Sequence, residues 1–178
     1  MFVDRNPLGY KNLRTWQQAN EIFELTEKFV ATLPARNPKT GQFMSDTSDH
    51  MLRSARSGVR NIEEGYSRTT TGEYISFLGF SKGSLEELLG DFQYCIKNNL
   101  GNQELAKRAE YLLEGEGKML ESQMRALKEK MVREKTFSNK DHDKLALDRQ
   151  KKDKFEEEKF LKELREKFLE GKVKGYQG

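Results

Sequence analysis

A chain of 178 residues, 35% apolar and 34% charged, holds enough material for one bundle-sized core with an appendage and too little for two full domains. Its apolar runs are only a few residues long against the ~20 needed to cross a bilayer, so no membrane span is expected. A single cysteine, Cys95, leaves no internal disulfide and no Cys-rich zinc site; with no apolar signal segment in MFVDRNPLGYKNLRTW, a reduced, cytoplasmic setting is expected.

All three prolines, Pro7, Pro34 and Pro38, precede residue 40. No later segment alternates apolar and polar residues, which predicts helix and an all-α fold. After an N-terminal arm (residues 1–11), a first helix is expected from Asn12 to Leu33. Leu13, Trp16, Ile22, Phe23, Phe29, Val30 and Leu33 should lie on its inner side, and Pro34 ends it. Ser45, Asp46, Thr47, Ser48 and Asp49 offer N-cap oxygens to a second helix with the stripe Leu52, Ala55, Val59, Ile62 and Tyr66.

Thr70 and Glu73 have the spacing of a capping box before a third helix, in which Tyr74, Leu78, Ser81, Leu85, Leu88, Phe92 and Cys95 alternate steps of four and three. Asn98, Asn99 and Gly101 should stop it. Asn102 can cap a fourth helix carrying Leu105, Ala109, Leu112 and Met119 on one row and Leu113, Leu120, Met124 and Leu127 on the next. Four amphipathic helices joined by mostly short loops predict an antiparallel up-down four-helix bundle over residues 12–130. Beyond it, residues 131–178 form a charged extension too poor in apolar residues to build its own core. Phe160, Leu164 and Phe168 recur there every fourth residue, and pairs such as Glu158 and Lys162 favour helix.

The net charge of +3 is unevenly placed: through Lys130 there are 18 Lys and Arg against 18 Asp and Glu, and beyond it 14 against 11. Within the bundle the notable polar set is Arg53, Arg56 and Arg60, whose spacings of three and four put one basic ridge beside the apolar face. Arg68 lies two turns further on. Such a ridge can follow a phosphate backbone, and copies aligned in an oligomer multiply the attraction. The plainer use is pairing of Arg60 with Glu63 or Glu64 one turn on.

Catalytic patterns fail on context. GFSKG (Gly79 to Gly83) has the Gly-x-Ser-x-Gly spacing of a hydrolase elbow, but that motif needs a preceding strand and a strained turn, whereas Ser81 falls on a helical seam. The only later histidine is His142, in the charged tail. Di-iron bundles need Glu-x-x-His, but Thr47 and Asn139 stand three residues before His50 and His142. Asp46, Asp49 and His50 are better used in capping than as a metal site. The neighbours Glu63 and Glu64, and Glu86 and Glu87, point about 100° apart rather than converging. No enzyme, cofactor or metal is expected. Interior glycines at 58, 65, 79, 83 and 90 imply close helix approach, inside the bundle or between subunits.

YKNLRTWQQANEIF, MLRSARSGVRNIEEGYSR and EYISFLGFSKGSLEEL resemble the four-helix-bundle family of large-subunit rRNA intervening-sequence proteins, to which the accessory variability determinants of diversity-generating retroelements are related. The likeness covers about Tyr10 to Leu127, and Glu63 departs from it where the family has a small residue, as in NIAEG. It implies a homopentamer with a positively charged surface or channel, no known catalysis and, for the retroelement branch, association with a reverse transcriptase and its RNA. The expected function is therefore a non-enzymatic, oligomeric, nucleic-acid-binding accessory protein, with Arg53, Arg56, Arg60 and Arg68 as contacts. The alternative is a protein-interaction scaffold without nucleic acid.

Overall fold

The computed structural model describes residues 8–134, and the chain divides at Lys130 into two units, 1–130 and 131–178. In the first unit a short 3₁₀ turn, Gly9–Asn12, leads into α1 (Arg14–Val30), then α2 (Ser45–Ser67), α3 (Thr71–Asn98) and α4 over residues 103–130. No strand occurs among the described residues, only an isolated antiparallel bridge between Arg36 and Phe43 in the α1–α2 loop. In the second unit residues 131–134 are described, and they are helical. The expectation of helix around Phe160, Leu164 and Phe168 lies outside the described residues.

Side-chain bonds give the direction of each helix pair. Between α1 and α2, Trp16 Nε1 donates to Glu63 Oε1 at 2.9 Å and the Phe23 ring lies under the Arg56 guanidinium at 5.7 Å. His50 Nδ1 meets Asp91 Oδ2 at 2.7 Å, and the Ser57 and Ser84 hydroxyls meet at 2.9 Å, between α2 and α3. Lys82 bridges to Glu121 at 3.0 Å, and Gln123 Nε2 donates to the Tyr74 hydroxyl at 2.7 Å, between α3 and α4. Gln18 Nε2 donates to the Leu112 carbonyl at 2.8 Å and Arg108 pairs with Glu21 at 2.7 Å, closing α4 on α1. In every pair numbering rises along one helix as it falls along the other, so the fold is an antiparallel up-down four-helix bundle.

The seven residues of the α3 seam expected from spacing are its seven buried residues. Facing them, α2 buries Met51, Ser54, Ala55, Gly58, Val59, Ile62 and Gly65, with Leu52 and Tyr66 half-buried at its edges. The two helices approach closely because two contacts need glycine. A Cβ on Gly58 would stand 2.6 Å from Leu85 Cδ2, and one on Gly65 would stand 2.7 Å from Phe77 Cβ. At the same crossing the buried Ser81 hydroxyl donates to the Gly58 carbonyl at 2.8 Å.

Two boundaries and one seam differ from the expectation. α1 is shorter than Asn12–Leu33: residues 31–33 tighten into i→i+3 bonds ahead of Pro34, with Thr32 N–H to Phe29 O at 2.8 Å and Leu33 N–H to Val30 O at 3.2 Å. Its fully covered line is Thr15, Ala19, Ile22, Leu25, Thr26 and Phe29, which leaves Trp16, Phe23 and Val30 half-buried on its flanks. The polar cluster before α2 does not cap it, because the helix starts at Ser45 with Met44 in the cap position and no side-chain cap bond. Buried Met44 is held to the loop by its N–H to Ala35 O at 3.1 Å, and this anchor sets the start one residue earlier than any of the five polar side chains could.

The other punctuation follows the sequence. Thr70 Oγ1 accepts from Glu73 N–H at 3.2 Å and meets its carboxylate at 2.7 Å. Asn99 takes the left-handed conformation (φ 55°) that ends α3, and Asn102 Oδ1 accepts from Glu104 and Leu105 N–H at 3.0 and 3.1 Å. The Gly58 contact yields a direct check by urea unfolding: Gly58→Ala should lose about 1–3 kcal/mol through overpacking against Leu85, despite alanine's higher helix propensity.

Candidate nucleic-acid interface

With Met51, Ala55, Gly58, Ile62 and Gly65 turned inward, the 3.6-residue period leaves Arg53, Arg56 and Arg60 on the opposite side of α2, and all three are exposed. The acids best placed to neutralise them are committed elsewhere. Glu63 accepts from the Trp16 indole, and Glu64 pairs with Arg68. Asp49, one turn before Arg53, forms no ion pair with it, and no carboxylate among the described residues lies within ion-pair distance of Arg53, Arg56 or Arg60. The Arg56 guanidinium lies over the Phe23 ring of α1, 5.7 Å from its centroid, a cation–π contact that leaves its charge without a carboxylate. A shallow recess lined by Asp49, Leu52, Arg53 and Arg56 runs beside the first two.

Arg68 is held differently. At the C-cap of α2 its guanidinium pairs with Glu64 and lies 4.4 Å from the Phe77 centroid, half-buried between them. The structure thus brings Arg53, Arg56 and Arg60 together as a free ridge and gives Arg68 a partner within its own subunit.

The remaining chemical groups are occupied or inert. Ser81 lies inside α3 with its hydroxyl bonded to a backbone carbonyl. Asp46, Asp49 and His50 lie within α2, not in a loop, and His50 turns to Asp91. No group of three or more His, Cys, Asp or Glu able to hold a metal occurs among the described residues. Burial, helped by Asp91, pushes the Cys95 thiol up to about 11, which keeps it protonated at neutral pH. No described helix is long and apolar enough to cross a membrane.

The family model of the 23S rRNA-intervening sequence proteins matches residues 11–122, which takes in α1, α2, α3 and most of α4. The chain belongs to this family. A comparison with curated proteins gives no match. Against the intervening-sequence pattern, Glu63 has a structural explanation: it satisfies the indole N–H of Trp16 and leaves Arg60 unneutralised.

The group that the sequence reading passed over is Glu116. It occupies a seam position of α4, three residues after Leu113 and four before Leu120, and is fully buried. Neither carboxylate oxygen has a hydrogen-bond partner. Burial in this apolar layer raises its pKa from 4.5 to about 8. A glutamate among Glu and Lys reads as surface. Only its heptad spacing, 109–113–116–120, carried the signal.

The sign of the pH effect follows from linkage. Between the two pKa values the unfolded chain has lost the Glu116 proton and the folded chain retains it, so stability falls as pH rises from about 4.5 to 8 and levels off above. At about 1.4 kcal/mol per pH unit the whole effect is on the order of 3–5 kcal/mol. Urea unfolding between pH 5 and 9 should show this decline in the parent protein and its loss in Glu116→Gln. At pH 8, Glu116→Leu should be the more stable protein by a few kcal/mol.

Proposed function

We propose that this intervening-sequence family member is a non-enzymatic oligomer that binds nucleic acid along the Arg53, Arg56 and Arg60 ridge of α2. The observation that carries the reading is three exposed guanidiniums on one helix face with no carboxylate partner among the described residues. A side chain paired inside its subunit would have to exchange that partner for phosphate, and these do not. Their i, i+3, i+7 spacing spreads the charges over about 10 Å of helix, enough to meet successive phosphates of one strand. The finer reading, an accessory of a reverse transcriptase holding its RNA or DNA, rests on the relation between the intervening-sequence family and the retroelement accessory proteins.

Oligomerisation is supported by the outer face of α3. Ser76, Phe80, Gly83, Glu87, Gly90 and Tyr94 alternate steps of four and three, repeating on the solvent side the spacing of the buried seam. A Cβ on Gly79, Gly83 or Gly90 would meet nothing within 4 Å, in contrast to Gly58 and Gly65, which the subunit's own packing requires. Glycine inside a helix costs about 1 kcal/mol relative to alanine. Nothing among the described residues offsets that cost at these three positions, whereas close approach by a second chain does. Phe80 and Tyr94, 60% and 41% exposed, are the large side chains to fit between such glycines.

Two measurements test these claims. Binding of RNA and DNA oligonucleotides across a salt series should show affinity at low salt. Arg56→Glu with Arg60→Glu should reduce it and flatten the log–log salt slope by about 2. Absent binding at low salt, or binding unchanged in the double variant, defeats the nucleic-acid reading. Light scattering should show an oligomer for the parent and a smaller species for Gly83→Arg, with helical content retained because the added side chain enters open space.

A further inference from the structure

Glu116 lies in an unusual local sequence, Gly115-Glu116-Gly117, in the interior of α4. A Cβ on Gly117 would meet no described atom within 4 Å, and one on Gly115 would stand 3.2 Å from Gln18 Nε2, which would have to give by a few tenths of an ångström. Both weaken the helix at that turn relative to alanine. In an α-helix the carbonyl of residue 112 receives the N–H of residue 116. Here the Leu112 carbonyl also accepts Gln18 Nε2 at 2.8 Å, so it keeps a donor when the turn opens. Beside this turn runs a groove between α3 and α4 lined by Leu85, Leu89, Leu113 and Gly117, by the two cations Lys82 and Lys118, and by Glu86, Glu114 and Glu121.

We propose that Gly115–Glu116–Gly117 is a pH-operated hinge in α4. When Glu116 loses its proton, the turn opens locally and carries the carboxylate out of the core into the α3–α4 groove, beside Lys82 and Lys118. The closed state is held by the neutral carboxylic acid, which the apolar layer tolerates; a buried carboxylate without a hydrogen-bond donor is not tolerated and must be protonated or hydrated. The elements around this turn carry, among other ionisable groups, Glu21 on α1, Glu63 on α2, Lys82 and Glu86 on α3, and Glu114, Lys118 and Glu121 on α4. None of them reaches either Glu116 oxygen. Most are engaged at the surface: Glu21 with Arg108, Glu63 with Trp16, and Lys82 with both Glu86 and Glu121. Local opening is therefore the low-cost answer to ionisation, because it disturbs one turn already lacking two side chains.

Hydrogen exchange of the full chain, with labelling times scaled to the intrinsic rates at pH 6 and pH 8, tests the hinge. Protection of peptides covering 112–120 should fall about tenfold per pH unit up to the titration near pH 8 and level off above it, ending well below that of peptides covering 54–62 of α2, which keep the protection left by global unfolding. Glu116→Gln should abolish the selective loss, with Glu116→Leu as a second variant that removes the charge and keeps an apolar core. Gly115→Ala with Gly117→Ala should retain the titration but shrink the local loss. Protection of 112–120 that stays level with that of the other three helices through the titration, or a selective loss that survives in both Glu116 variants, overturns the proposal. The outcome does not depend on nucleic-acid binding.

Discussion

The close crossing of α2 on α3 governs the placement of the rest. Gly58 admits the Leu85 side chain and Gly65 admits Phe77, so the two backbones come near enough for the Ser81 hydroxyl to reach a carbonyl of the facing helix. That contact fixes the rotation of α2 about its axis. A change of one residue, about 100°, would turn arginines toward the core and Val59 or Ile62 to solvent. The exposed ridge is thus the remainder of a packing solution: a helix that commits its small and apolar residues to one side carries its cations on the other.

Fully buried polar side chains among the described residues find partners, with Glu116 the exception. Thr15, Gln123 and Tyr74 form a short hydrogen-bonded chain across three helices, buried Thr26 donates to the Ile22 carbonyl, and Asn37 folds the α1–α2 loop by accepting from the N–H of Lys39 at 2.9 Å and donating to the Tyr94 hydroxyl at 3.0 Å. Each arrangement removes a polar atom from water and returns a partner. Glu116 receives none, and its position between two helix-weakening glycines places the least satisfied side chain at the most easily opened turn of α4.

Much of this was legible in the residue order. The α3 seam, the Thr70–Glu73 box, the Asn102 cap and the four-helix architecture all rest on local spacing, which survives into the folded state without outside information. The inner line of α1 was obscured because bulk and burial part company there: Trp16 and Phe23 are large but sit on the flanks, while Ala19 and the hydroxyl-bonded Thr15 and Thr26 fill the seam. The ridge residues could be named from their periodicity, but whether they stood free depended on where Glu63 and Glu64 turned. Trp16, 47 positions away in the chain, decides that for Glu63. The start of α2 was likewise set by a loop contact of Met44 rather than by the polar residues beside it.

The bond between Trp16 and Glu63 has a practical side. The chain has one tryptophan, and its indole is tied across the α1–α2 interface to the helix that bears the arginines, with the Tyr10 ring edge-on at 5.4 Å. Its emission therefore comes from a single, defined environment. Any event that parts the first two helices, or draws Glu63 toward a newly arrived charge, registers as a change in native fluorescence without a dye having been attached.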